Sequence, residues 1–403
     1  MTIETLMEKL NCTIWPESWH NIYADAIKKY EEEGLPCATE EYYDKLEEKY
    51  GMFGEKLDAY KRAAVAISKK EDLKKLLAIV SYSMNSGEGT ESFIPPQPPP
   101  GEDPLPYDMI IGLAVCSQAE RIYGDLKKRS IPEEKIRGAL SYFTEGLTSF
   151  RRVNKRDGVG GYWWQRHMVN SNIIPIGCFN IEMKGTINPG ATVFANKKGE
   201  SIALADDRDF HKSGFPLGSK YFEDEDGSFH ADVTETEDSY IGYPYLENGY
   251  ASKEKITLPK NEWEKKLLAG DRVLKLHIPQ RTNFAPESIS KSFEEALKFS
   301  EKYFPDEAPK AICCTSWLCD PQLAQILPET SNIANFGKRF TRYAQKNAGM
   351  DPLGFIFGVP ADNPDFDSLP EDTSLQRALK NHYKSGKGIY VTSGYILIGA
   401  DIK

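Results

Sequence analysis

The sequence predicts an α+β protein in two parts, an all-helical domain over residues 1–165 and a mixed α/β domain over residues 166–403. Three observations carry this. In the first third, apolar residues recur at three- and four-residue steps, the spacing of one helix face. The basic, glycine-rich stretch RRVNKRDGVGG (151–161) breaks that period, and short runs bounded by turn residues take over beyond it. Residues 272–328 then read as strand, loop, helix, strand and helix, the order of a βαβ crossover.

The helical part begins at Pro16, where Trp15, Trp19, Ile22, Tyr23, Ala26, Ile27 and Tyr30 share one face until Gly34-Leu35-Pro36 ends the run. Aromatic residues at i and i+4 pack between helices, so Trp15 and Trp19 are read as core rather than as a ligand platform. Helices follow over 39–50 and over 56–80, the second carrying Leu57, Ala64, Ile67, Leu73, Leu76 and Leu77. The proline cluster at 94–106 (IPPQPPPGEDPLP) is a stiff connector. A helix over 107–128 precedes Ser130-Ile131-Pro132-Glu133, whose capping-box spacing starts another, running to about Phe150.

Beyond residue 165 the pattern is β-rich. A strand is expected over 173–183, and residues 185–257 read as an insertion of short strands and turns. Asp226-Gly227 is a hairpin-turn dipeptide between YFE and SFHADV. The acidic run Glu223-Asp224-Glu225-Asp226 lacks the EF-hand spacing, and His211, His230 and Asp232 form no recognisable ligand set, so no metal is expected. Strands are expected over 336–343, 353–358 and 388–398, with a helix over 374–383.

The crossover is where ligand chemistry is expected. Val273, Leu274, Leu276 and Ile278 form a strand stopped by Pro279, which cannot donate to a ladder. Pro286 and Glu287 suit the first turn of a helix that Pro305 ends, and 311–318 is a second β-leaning run. The loop between strand and helix therefore lies at the carboxyl end of a strand and at a helix amino terminus, a favoured place for anions.

Composition excludes several classes. A formal charge of −10 opposes non-specific binding to nucleic acid or anionic membranes. No apolar stretch approaches the ~20 residues of a membrane span. The start MTIETLMEKL lacks a basic-then-apolar leader, and seven cysteines without paired spacing fit reduced thiols, so a cytoplasmic protein is expected. The sequence fixes no oligomeric state.

A series of motifs runs through the second part. It comprises Trp164 and His167 before Pro175-Ile176-Gly177-Cys178-Phe179-Asn180-Ile181-Glu182; then Gly270-Asp271, Val273-Leu274 and His277-Ile278-Pro279; then Pro286, Glu287, Ser292 and Ala296. Cys314, Ser316-Trp317-Leu318, Asp320-Pro321 and Leu323 follow, with Leu327-Pro328, Ser331-Asn332-Ile333 and Phe336 after them, and Leu369-Pro370, Thr373 and Leu375-Gln376-Arg377-Ala378 last. In number and order these motifs resemble a bacterial two-part acyltransferase family, a helical N-acyltransferase amino-terminal domain followed by a GNAT-like domain. The resemblance implies a central, largely antiparallel sheet. It also implies acyl-CoA or acetyl-CoA as co-substrate, with acetyl the expected group, and an amine of a small molecule or peptide as acceptor.

In such a fold the cofactor pyrophosphate lies over the helix start, here Phe284, Ala285, Glu287 and Ser288, with Arg281 adding charge and Ile278 leading in. The pantetheine arm slots between two splayed strands, here 273–278 and 311–318, which brings His277, Cys314 and Ser316 near the thioester. His277 is the candidate base, because imidazole titrates near neutral pH; it reads equally as a structural histidine. Cys314 is a candidate nucleophile, though a buried thiol on an apolar strand is the better reading. Ser316 is a candidate donor to the leaving thiolate or oxyanion, or a hydroxyl satisfying backbone. Trp317, Ser331 and Asn332 are candidates for the acceptor side.

There are departures from the resemblance. Pro175 and Cys178 stand where that family carries arginines, Asn180 where it carries glutamine, and 279–286 (PQRTNFAP) has no glycine. They motivate a second reading, a non-catalytic ligand- or partner-binding descendant of the fold. A third is acyl transfer or hydrolysis with Cys314 as nucleophile and His277 as base.

Overall fold

The structure, a computed structural model, describes residues 1–85 and 92–399. It divides into two compact units, Met1–Pro175 and Ile176–Lys403. The division lies beyond residue 165 because Tyr162–Asn170 is a further helix of the first unit. Its Tyr162 packs edge-on against Trp19 and Phe93, with ring centroids 5.9 and 5.6 Å apart.

In the first unit, the regular elements among the described residues up to Asn170 are helices. Its centre is Ile110–Cys116, buried on every side as an all-apolar helix must be. At Gly112 an added Cβ would meet Val159 at 2.7 Å, so only glycine admits this neighbour without displacement. Trp19 is buried as expected, but the helix starts there rather than at Pro16. Trp15 lies half-buried ahead of it against His20, so the two do not share a helix face. The helix expected over 56–80 is instead two, Leu57–Ser68 and Glu71–Ser83, broken where Lys70 is extended (φ −124°, ψ 101°). The break lets Ala63 and Ile67 enter the same core as Leu73, Leu76 and Leu77. The capping box at Ser130 does not form: Ser130 is left-handed (φ 61°), and Glu133–Tyr142 starts after Pro132 with no side-chain cap.

The second unit is built on a mixed sheet in the order Ile173–Ile176, Phe179–Thr186, Arg272–His277, Ala311–Ser316, Thr392–Leu397, Thr341–Ala344. The chain passes from one unit to the other within the first of these strands. Arg272–His277 and Ala311–Ser316 pair in parallel across the helix Pro286–Tyr303, the crossover expected from sequence. Both flank antiparallel neighbours, and the last pair is antiparallel too, so the sheet is largely antiparallel.

Alternation assigns the two faces of this sheet. Phe179 stacks on Phe293 of the crossover helix at 5.9 Å, and Phe340 covers Gly394, so Ile181, Leu274, Leu276, Ile312 and Cys314 share the helix-covered face. Val273, Ala311, Cys313, Tyr343 and Tyr395 point the other way, into a core shared with Val193, Phe210, Ala231 and Ala251 of the inserted region. That region is β-rich, with small sheets from Ala191–Asn196, Ser201–Ala205 and Trp263–Leu267, from Arg208–Phe210 and Phe229–Ala231, and from Thr234–Glu235, Ser239–Gly242 and Ile256–Pro259.

Several local expectations are corrected. Asp226-Gly227 does turn the chain, with Ser228 N–H donating to Glu225 C=O and Gly227 at φ +68°. Yet Phe229–Ala231 pairs with Arg208–Phe210 rather than with the YFE run, so no local hairpin forms. The stretch 353–358 is a π-helical turn, Leu353–Phe357, ended by left-handed Gly358. Phe336 lies in the helix Asn332–Gly337, and only Thr341–Ala344 of 336–343 is strand.

Candidate functional site

The parallel pair at the crossover opens at one end. Its register runs Leu274↔Ile312, Lys275↔Cys313 and Leu276↔Cys314, and goes no further. His277 keeps only Asn180 of Phe179–Thr186 as partner, while Thr315 and Ser316 keep Ser393 and Thr392. Ladder pairing therefore stops at Leu276 and Cys314, and the strand ends beyond them that do not pair with each other, His277 against Thr315 and Ser316, bound a slot. A β-bulge between Val273 and Lys275 shifts the register against Phe179–Thr186 just before the slot, a device that re-aims side chains.

His277 borders the slot with a partner. Its Nε2 lies 2.9 Å from Glu182 Oε2. The Glu182 side chain is only 2% exposed and that of His277 18%, so the carboxylate is sealed in the sheet while the imidazole reaches the surface. Glu182 is cross-strand to Lys275 and, like His277, faces away from the crossover helix. A buried carboxylate in this position fixes the orientation of the imidazole.

Cys314 and Ser316 lie elsewhere. Cys314 pairs with Leu276, so it occupies the helix-covered face, opposite His277, and is fully buried. The Cys319 thiol beside it, and then burial, hold its thiol well above the ordinary range. The structure thus does not bring Cys314 and His277 together. Ser316 caps the turn Trp317–Cys319, its Oγ accepting from Leu318 N–H at 3.2 Å. Trp317 is buried in that turn.

The loop after His277 leads to the helix. Arg281 is exposed and left-handed (φ 61°). Asn283 Oδ1 accepts from Ala285 N–H at 3.0 Å and its amide donates to Ser288 Oγ at 3.1 Å, which shapes the loop without glycine. Ala285 caps the crossover helix with no side-chain bond, Pro286 opens it, and Glu287 is exposed in its first turn. Arg339 donates to Pro286 C=O and Ser290 Oγ, adding a second cation at this helix start. Phe284 packs edge-on against Phe336 at 5.2 Å, and Ile278 is half-buried. Ser331 caps Asn332–Gly337 by accepting from Ala334 N–H, leaving Asn332 exposed at its first position.

Two residues without a role from sequence stand out. Glu182 is one; its signal was an acid in a strand-like run, Phe179 to Met183, where it alternates with Phe179, Ile181 and Met183. Asp320 is the other. It is buried and accepts from Gln322 and Tyr390 backbone N–H. Burial pushes its carboxyl up to about 6, against those donors and the charge of Arg342. Among the described residues no group of histidine, cysteine, aspartate and glutamate is placed to hold a metal. No helix among them is long and apolar enough to cross a membrane.

Residues 208–396 match the family model described as GNAT-like C-terminal domain. No curated protein matches the chain. Solved structures do, at identities that speak for the fold alone. An acyltransferase in complex with CoA and 10C-teicoplanin is 17% identical at a TM-score of 0.62, over 99% of this chain and 100% of that one. An acyltransferase in complex with decanoyl-CoA and teicoplanin is 18% identical at a TM-score of 0.62, with the same coverage of 99% and 100%. A mutant acyltransferase in complex with octanoyl-CoA is 17% identical at a TM-score of 0.62, over 98% and 99%. The chain shares its fold with these acyltransferases, and residues 208–396 carry the likeness to the GNAT-like C-terminal domain.

Proposed function

We propose that the chain is an acyl-CoA-dependent N-acyltransferase, acting on an amine of a small molecule or peptide. The observation that carries this is the His277–Glu182 pair at the mouth of a slot between two parting parallel strands. The slot and the helix start beside it suit an extended thioester whose pyrophosphate end is anionic. Unpaired backbone donors at Glu287 and Ser288, Arg281 in the loop and Arg339 at the first turn supply the charge. In this reading Ile278, Phe284 and Ala285 line the path, and Asn332 with Ser331 and Trp317 form the acceptor side.

The chemistry asked of the protein is small. The amine nitrogen forms a bond to the acyl carbon as the carbon–sulfur bond breaks, the amine's proton passes to the imidazole of His277, and the thiolate leaves. Glu182 stabilises the imidazolium that results. Cys314 has no part, since it lies buried on the other face. Acetyl was the acyl group expected from sequence, but octanoyl and decanoyl chains occupy the similar acyltransferases, so medium chains rank first here.

A second reading, ligand binding without turnover, rests on the glycine-free loop 279–286. Calorimetric titration with CoA, acetyl-CoA and decanoyl-CoA, paired with thiol release on an amine panel, decides between them. Micromolar binding, about −8 kcal/mol, with amine-dependent thiol release supports the transferase. Binding without release, or binding of none of the three by a folded chain, supports the second reading.

A further inference from the structure

We infer that the Thr315 hydroxyl is the hydrogen-bond donor to the thioester carbonyl in the slot, its proton aimed there by a chain running Arg208, Gln345, Ser393. The inference rests on the transferase reading and adds a second catalytic group to it, one that no motif singled out.

Register places Thr315 across the slot from His277. Lys275 pairs with Cys313 and Leu276 with Cys314, so the next position on each strand is His277 and Thr315. Both point away from the crossover helix, on the face of Val273 and Cys313. Asn180 pairs with His277 on one side and Ser393 with Thr315 on the other. A row of polar side chains thus crosses the sheet where the strands part, and the slot divides it between a base and a hydroxyl. Ser316, the hydroxyl expected from sequence, faces the other way and caps a turn.

The sense of the hydrogen bonds makes Thr315 a donor. Arg208 can only donate, and its Nη2 does so to Gln345 Oε1 at 3.2 Å. Arg208 is itself fixed by Ala344 C=O and Pro189 C=O, each at 2.9 Å. The Gln345 amide is therefore oriented with Nε2 toward Ser393 Oγ, 3.0 Å away, and toward Pro189 C=O, 3.4 Å away. Ser393, buried to 2% exposure, accepts that N–H and meets Thr315 Oγ1 at 2.9 Å. A hydroxyl that accepts on one side becomes a better donor on the other, so in this inference Ser393 donates its hydrogen bond to Thr315 Oγ1. Thr315 is half-buried at the slot and ends the chain with its own proton to give.

During transfer the carbonyl oxygen holds the electron pair displaced as nitrogen attacks and returns it as the carbon–sulfur bond breaks. Thr315 donates a hydrogen bond to that oxygen and keeps its proton, which is oxyanion stabilisation by a preorganised donor. Ser393 and Gln345 are positioning residues.

The test reads the bond directly, with no acceptor needed. The carbonyl stretch of decanoyl-CoA carrying carbon-13 at C1 is recorded bound to the full chain by difference infrared spectroscopy. The stretch is expected at lowered frequency in the wild type and in Thr315→Ser, and to rise toward its value in water-free solvent in Thr315→Val. Ser393→Ala is expected to shift it part of the way, and carries the test should Thr315→Val lose the fold. Where an amine supports turnover, Thr315→Val is expected to lose about 100-fold in kcat at unchanged KM. An unmoved stretch in Thr315→Val, with decanoyl-CoA still bound by calorimetry, overturns the donor assignment alone. Should the wild type bind none of CoA, acetyl-CoA and decanoyl-CoA, the transferase reading falls and this inference with it. Should it bind acetyl-CoA alone, the same stretch is read on carbon-13 acetyl-CoA with the same expected outcomes.

Discussion

An imidazole on a strand end, as His277 is, reads from sequence as either a base or a structural tie. The 2.9 Å contact with a sealed Glu182 fits both, and substitution separates them. His277→Ala is expected to lower turnover about 100-fold or more, the usual worth of a positioned base, with near-ultraviolet circular dichroism unchanged. Glu182→Gln keeps the shape and removes the charge. It is expected to lower kcat at least about tenfold while acyl-CoA affinity holds, since its effect is on the protonated imidazole. Equal loss of affinity and turnover would instead mark Glu182 as a strut of the sheet. Cys314→Ala is expected to leave turnover intact, because a fully buried thiol on the far face has no path to the thioester. Full inactivation of a folded Cys314→Ala chain would falsify the assignment of faces. Neither the Glu182–His277 contact nor the Thr315–Ser393 contact was legible in the sequence, because a cross-strand partner is set by register, and register is a property of the sheet.

At the scale of elements, the crossover was legible and the short irregular pieces were not. Strand, helix and strand over Arg272–His277, Pro286–Tyr303 and Ala311–Ser316 follow from period, a proline at the helix start and apolar runs, which act locally. The hairpin at Asp226-Gly227 failed because Arg208–Phe210 captured Phe229–Ala231 from far along the chain. Leu353–Phe357 became a π-helical turn where an apolar run of that length fits either structure. The turn Trp317–Cys319 ends at Asp320, which ties it to Tyr390 ahead of the strand Thr392–Leu397. That link carries a pH signature. With the folded-state value up at about 6 against an ordinary ~3.9, the native chain holds this proton more tightly than the unfolded one. Its contribution to stability is complete below pH ~4 and is lost as pH rises through about 6. Asp320→Asn removes the titration, so its destabilisation relative to wild type is expected to be larger at pH 4 than at pH 7 in urea unfolding. A constant difference across that range would show that the carboxyl titrates normally. Gly177 fixes the turn into Phe179–Thr186 at φ +58°, where an added Cβ would stand 2.1 Å from Ser292 Oγ. Gly177→Ala is expected to cost more than ~1 kcal/mol, above the ordinary penalty for leaving glycine in a left-handed site.

The molecule as a whole carries a charge of −10 and, in this reading, binds a polyanion. The attraction must therefore be local, and residues at the start of the crossover helix are asked to supply it. Arg339 is committed to Pro286 C=O and Ser290 Oγ, whereas Arg281 is exposed in the loop, held left-handed, and its removal disturbs no packing. Arg281→Ala is expected to weaken CoA binding about tenfold, ~1.4 kcal/mol. Stability offers an independent readout, because a ligand that binds only the folded state adds RT ln(1 + [L]/Kd), or ~2.7 kcal/mol at 100 times Kd. For a unit the size of Ile176–Lys403, which holds every residue of the site, that energy moves a melting midpoint by ~5–11 °C, at ~2–4 °C per kcal/mol. Decanoyl-CoA is expected to raise the midpoint of the full chain by this amount, and Arg281→Ala at the same ligand concentration to give back about half of it, since a tenfold weaker Kd removes ~1.4 of the ~2.7 kcal/mol. Raised ionic strength should shrink the shift in the wild type and leave that of Arg281→Ala nearly unchanged, because only the exposed contact is screened over a Debye length of ~8 Å. If salt shrinks both equally, the phosphates are held elsewhere than at Arg281, and the helix start is left to bind them through its backbone donors.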